Sequence, residues 1–179
     1  FNEVFFVDVR VPADFLLGDV DEGWTVALTT LMNERMAIGG GSFAPGPGSA
    51  QRLFELARQM GRSSDPRVRQ MLADFYINSS VARFTTMRAV AKLRAGQLPG
   101  AEASTLKLAL TNNLQRVSAA VTSILGPRLT ADTGEWGTYA WADMLLGVPG
   151  VRVAGGTDEV MRNIVGERVL GLPKEPRRA

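Results

Sequence analysis

The chain has 179 residues, 45% hydrophobic and 21% charged, with a formal net charge of +2, values ordinary for a globular domain with a real core. It contains no cysteine and no histidine, which excludes disulfide frames, thiolate metal sites and imidazole acid–base chemistry and leaves carboxylate, Lys or Tyr for proton transfer. The basic residues are scattered apart from Arg177-Arg178, so no nucleic-acid surface is drawn, and no apolar run approaches the ~20 residues of a membrane span.

The first element reads as a strand. Val7, Val9 and Val11 alternate with Asp8 and Arg10 until Pro12 ends the pattern. A single strand makes no stable sheet, so its partners are expected upstream, in a longer protein of which this is the C-terminal piece. No signal peptide opens the chain, and the expected location is cytoplasmic. After Gly18 a first helix opens at Asp21-Glu22 and runs to about Ile38, with Trp24, Ala27, Leu28 and Leu31 on its buried face. Residues 39–49 are rich in glycine and proline and break it.

A second helix is predicted over about 49–61. Asp65-Pro66 caps and starts a third, whose stripe is Val68, Met71 or Leu72, Phe75, Val81, Met87 and Val90. Gly96 to Gly100 is a turn. The fourth helix, about 101–125, turns Leu106, Leu110, Leu114, Val117, Val121 and Ile124 inward, and Gly126-Pro127 stops it. A loop over 127–137, a short helix over 138–146 and a glycine-rich loop over 147–156 follow. In the last helix, 157–169, Thr157 or Asp158 serves as N-cap and Glu159 complements the dipole. Its apolar stripe is Val160, Ile164 and Val169, with Gly171 and Pro173 beyond its end. The expected fold is all-α: an up-and-down four-helix bundle with a short N-terminal strand stub and a C-terminal helix. Trp24, Trp136 and Trp141 read as core or interface.

The closing string Gly155-Gly156-Thr157-Asp158-Glu159-Val160-Met161-Arg162-Asn163 resembles the end of flavin-dependent acyl-CoA dehydrogenases, whose last helix opens Gly-Thr-(Ser/Asp)-Glu-(Ile/Val)-x-Arg-Asn. The resemblance extends to the opening segment and covers nearly the whole chain. It implies that residues 1–20 end a middle β domain and residues 21–179 form the C-terminal bundle. It further implies FAD as cofactor, an acyl-CoA substrate that gains an α,β double bond, and an electron-transferring flavoprotein as partner. A homodimer or homotetramer is implied, with a hetero-oligomer possible. No metal site is expected.

In this chemistry a carboxylate removes the α proton while the flavin takes the β hydride, and burial raises the pKa of that base. Many members place the base immediately before Gly-Thr, where this chain has Gly155. A second family pattern places it in a Glu-Arg pair on the first bundle helix, which matches Glu34-Arg35 in Asn33-Glu34-Arg35-Met36-Ala37-Ile38-Gly39-Gly40. The resemblance therefore implies Glu34 as base, with Arg35 shaping its charge. Without it, Glu34 and Arg35 read as a solvated pair that need not face one another.

The run from Gly39 to Gly48 lacks the Gly-Lys-Ser/Thr ending of a phosphate loop. It reads as a helix break, with Gly39 to Gly41 leaving room beside the site for a branched or bulky acyl group. The cofactor contacts implied are Thr157 and Glu159, at a helix N-terminus suited to a pyrophosphate. Gly126 stands where a Leu-Gly-Gly pair often follows the fourth helix. Met60-Gly61 replaces the usual Phe-Gly, Ala57 occupies the place of an Arg that reaches a neighbour's flavin, and Arg58 and Arg62 are the nearest substitutes. These departures leave a rival reading open: a non-catalytic helical subunit or association module in a mixed complex.

Overall fold

A computed structural model of the chain describes residues 2–40, 50–97, 100–134 and 138–174. Gly41, Trp136 and Arg177-Arg178 lie outside the described residues, as does the side chain of Arg35. Six α-helices are found among the described residues: α1 Gly23–Gly40, α2 Ala50–Gln59, α3 Pro66–Arg94, α4 Ser104–Leu125, α5 Thr138–Val153 and α6 Asp158–Arg168. The fold is all-helical, as the apolar periodicity requires. Two compact units divide the chain, Phe1–Asn33 and Glu34–Ala179.

In the first unit the expected strand has no pairing partner among the described residues. Residues 2–12 form no ladder, Asp8 bends the backbone at φ 50°, and an isolated extended segment has no partner for its N–H and C=O groups. A 3₁₀ turn over Ala13–Phe15 follows. Trp24, expected in a core, is 74% exposed, because a segment this short cannot enclose a side chain of that size.

The second unit is built on α4, which packs against α2, α3, α5 and α6. The short join between α3 and α4 sends α4 back along α3. Asp65 accepts from the N–H groups of Arg67 and Val68 at 2.9 and 3.2 Å, and Pro66 stands in the first turn, where its missing N–H costs nothing. The core joins Leu53, Leu56 and Ala57 of α2 to Val68 and Phe75 of α3, Val117, Val121 and Ile124 of α4, and Trp141 of α5.

Two stripes and one loop depart from the sequence expectation. In α3, Val68, Phe75 and Ala82 are buried while Val81 and Met87 are exposed: the buried positions recur every seven residues, and the apolar side chains outnumber those places. In α6 the buried apolar residue is Met161, with Val160 and Val169 exposed, because Asp158 takes the neighbouring inward position. The expected loop over 147–156 is helical as far as Val153, through Pro149. Proline forfeits one helical bond, but the buried Trp141 and Val148 anchor the helix ahead of the fault and Lys107 holds the Arg152 carbonyl beyond it.

Leu56→Ala is expected to lower unfolding free energy by about 2–5 kcal/mol through transfer and cavity terms, read from urea denaturation. Val81→Ala should stay within about 0.5 kcal/mol.

Candidate functional site

The corner between α5 and α6 is held by α4. Lys107 and Thr111 lie one turn apart on α4 and are fully buried, and Asp158, the first residue of α6, is 1% exposed. Lys107 Nζ donates to the backbone carbonyl of Arg152 at 2.7 Å and to Asp158 Oδ1 at 3.1 Å. The first bond fills one of the carbonyls that the end of α5 leaves without a helical partner, with a cation at the negative end of the dipole. The Thr111 hydroxyl donates to Asp158 Oδ1 at 2.8 Å. Arg152 Nε donates to Oδ2 at 3.0 Å. The donors on Arg152 orient the amide of Gln115, whose oxygen accepts from Nε at 3.2 Å and Nη1 at 2.9 Å.

Burial pushes the Asp158 carboxyl up, but the hydrogen bonds from Thr111, Arg152 and Lys107 and the Lys107 charge outweigh it, holding the group below its ordinary 3.8. One carboxylate thus meets two cations and a hydroxyl, and among the described residues no buried side-chain nitrogen or oxygen lacks a hydrogen bond.

Between these anchors runs the turn that leads to Thr157. Gly155 and Gly156 adopt φ 65° and 98°, the left-handed side that favours glycine. A Cβ on Gly156 would come within 2.7 Å of Met161 Cε. Thr157 is the N-cap: its hydroxyl oxygen accepts from the Val160 N–H at 3.3 Å. Of the two capping residues the sequence allows, Thr157 caps and Asp158 turns inward. Glu159 is exposed beside it. Its own backbone N–H, the Thr157 hydroxyl and the Arg162 charge hold its carboxyl below the usual value.

The other sequence candidates are spread over the fold. Glu34 is exposed on α1, and Gly39 and Gly40 close that helix. Arg58 ends α2 and lines an open groove of about 510 Å³ with Phe54, Ser63, Arg69, Leu72, Ala73 and Tyr76. Arg62 pairs with Asp65 at 2.7 Å. Gly126 ends α4 at φ 54°, ψ −132°, a backbone shape that demands glycine. Two residues on, Arg128 Nη1 lies 3.1 Å from Met60 Sδ. The structure brings Thr157 and Glu159 together; among the described residues no hydrogen bond or ion pair links them to Glu34, Arg58 or Gly126.

Sequence reasoning missed Lys107, Thr111 and the inward turn of Asp158. The available signal was a polar stripe, Ser104, Lys107 and Thr111, at helical spacing beside the apolar one. Among the described residues no helix is long and apolar enough to cross a membrane, and no group of three His, Cys, Asp or Glu side chains is placed to hold a metal ion.

Residues 21–170 match the family described as acyl-CoA dehydrogenase, C-terminal domain. The chain is 33% identical over 176 residues to acyl-CoA dehydrogenase IpdE1 of Mycobacterium tuberculosis, covering 98% of this chain and 45% of that protein. It is 34% identical over 178 residues to IpdE1 of Mycolicibacterium smegmatis, with 98% and 43% covered. Among solved structures, one titled Tcur3481-Tcur3483 steroid ACAD superposes with a TM-score of 0.78 at 24% identity, over 96% of this chain and 45% of the other. A glutaryl-coenzyme A dehydrogenase complex superposes with a TM-score of 0.75 at 21% identity, over 98% and 45%. The chain therefore spans less than half the length of the relatives it matches.

The lowered Asp158 pKa carries a sign. Its stabilisation is complete above the ordinary value of 3.8 and is lost as pH falls through the depressed folded value. Asp158→Asn is expected to be less stable at neutral pH and to lose less of its urea midpoint than the wild type between about pH 5 and pH 3. Single Lys107→Met, which leaves the buried carboxylate with only Thr111 and the partly exposed Arg152, should cost about 3 kcal/mol.

Proposed function

The chain belongs to the acyl-CoA dehydrogenase family as its C-terminal domain, and we propose that in the intact protein it forms part of an FAD-dependent enzyme that introduces an α,β double bond into an acyl-CoA thioester. The observation that carries this reading is the placement of the Gly155-Gly156-Thr157 turn at the N-terminus of α6 within the matched region. The helix start suits an anionic group: Lys107, Arg152 and Arg162 lie against Asp158 and Glu159 there, so cations outnumber carboxylates at the positive end of the dipole. When bound, the flavin supplies the hydride acceptor.

In this proposal Thr157 and Glu159 hold the cofactor from one chain, and Gly126 and Arg58 meet it from another subunit. Glu34 removes the α proton, and the substrate and the rest of the protein complete the enclosure of its exposed carboxyl. Arg35, Gly39 and Gly40 border the acyl group. The left-handed Gly155 supports moving the base away from the turn, because a glutamate at that φ would be strained. The assembly is a homo-oligomer that passes electrons to an electron-transferring flavoprotein.

A second reading, a non-catalytic helical subunit of a mixed complex, is favoured by Gly155 and by Ala57 and Met60 where relatives carry Arg and Phe. It requires a full-length protein that stays colourless until a second subunit is added. For the enzyme reading, Glu34→Gln in the full-length protein should slow flavin bleaching by acyl-CoA about 10²–10⁴-fold while FAD stays bound. An unchanged rate overturns the assignment of the base.

A further inference from the structure

We propose that Lys107 and Asp158 form a positioning pair that sets the Gly155-Gly156-Thr157 turn, and through it the direction of the Thr157 hydroxyl toward the cofactor. This role rests on the reading of Thr157 as a cofactor contact.

The geometry is specific to the turn. Lys107 grips the chain on both sides of it, at the Arg152 carbonyl and at the Asp158 carboxylate. Five residues, 153–157, lie between those two grips. Two of them are consecutive glycines at positive φ, which leave the backbone with the least restraint of its own. Restraint therefore has to come from outside the turn. It comes from α4, which supplies Lys107 and Thr111 directly and orients Arg152 through Gln115. The choice of cap is also fixed by this arrangement: with Asp158 held inward by three donors, Thr157 alone is left to cap α6.

Bundle stability does not require the pair. A buried ion pair pays two desolvation penalties, and uncharged groups of similar volume often replace it without loss. The apolar core around Leu56, Val117 and Val121 is separate from it. What an uncharged replacement lacks is the grip on a particular carbonyl at the end of α5 and a particular oxygen at the start of α6. The pair selects one geometry of the turn among several of similar packing.

The test uses the full-length flavoprotein carrying Lys107→Met together with Asp158→Asn, so that neither charge is left stranded, and Thr157→Val as comparator. In the double variant, amide exchange at residues 154–160 is expected to quicken about tenfold or more while the amides of Val117 to Ile124 keep their protection. FAD affinity and kcat should each fall about 10–100-fold with an altered flavin absorption band, and KM for acyl-CoA should hold. Thr157→Val should reproduce the flavin effects with exchange quickened only at Val160, whose N–H the hydroxyl caps, and unchanged over 154–156. Unaltered exchange at 154–160 overturns the positioning role. A loosened turn with wild-type FAD affinity and spectrum overturns its link to the cofactor. A wild-type protein that binds no FAD overturns the enzyme reading and this role with it, and that outcome is distinguished because it appears before any substitution is made.

Discussion

A lysine and an aspartate buried together in a helical core impose a condition that hydrocarbon does not. Leucine and valine tolerate many neighbours at little cost, whereas Lys107 without Asp158 is a buried ammonium with no counter-charge, and Asp158 without Lys107 keeps only the partly exposed Arg152. That condition decides where α6 begins, how far α5 runs and which way each helix end faces. The negative end of α5 meets the Lys107 ammonium and the positive end of α6 carries the Asp158 carboxylate, so each dipole favours the charge set against it. The join between α5 and α6 is thus fixed against α4 by the bonding of a single side chain.

The central helix divides its work by halves. Toward its C-terminus α4 contributes Val117, Val121 and Ile124 to the common core, where burial area decides the energy. Toward its N-terminus it buries Ser104, Lys107 and Thr111, where direction decides it. The surface pair of Arg116 with Asp74, 2.8 Å apart, adds little beside these, since exposed ion pairs contribute about 1 kcal/mol or less. A bundle of this kind is held together by one half of a helix and aimed by the other.

Legibility in the sequence followed how local each feature is. Asp65-Pro66 and Gly126-Pro127 signal their helix boundaries within a few residues, and both boundaries stand where they are expected. The all-helical fold came from apolar spacing, which is also local. Features set by a distant partner did not announce themselves: Asp158 reads as an ordinary first-turn acid until Lys107, 51 positions earlier, is placed against it. Met161 took the inward place from Val160 for the same reason. Proline and glycines after residue 146 looked like a loop because breaker residues are read by propensity, and the packing of Trp141 and Val148 overrode it. At the candidate site, Thr157 and Glu159 were legible as a helix start and do adjoin. The proposed base, Glu34, was legible only by resemblance, since an exposed Glu on a helix carries no chemical signature of its own.

The left-handed Gly155 has an evolutionary consequence. In this backbone any side chain at that position starts with a penalty of about 1–2 kcal/mol, incurred before a new carboxylate could be of use. A lineage carrying this turn meets loss first along every one-step path that places an acid there.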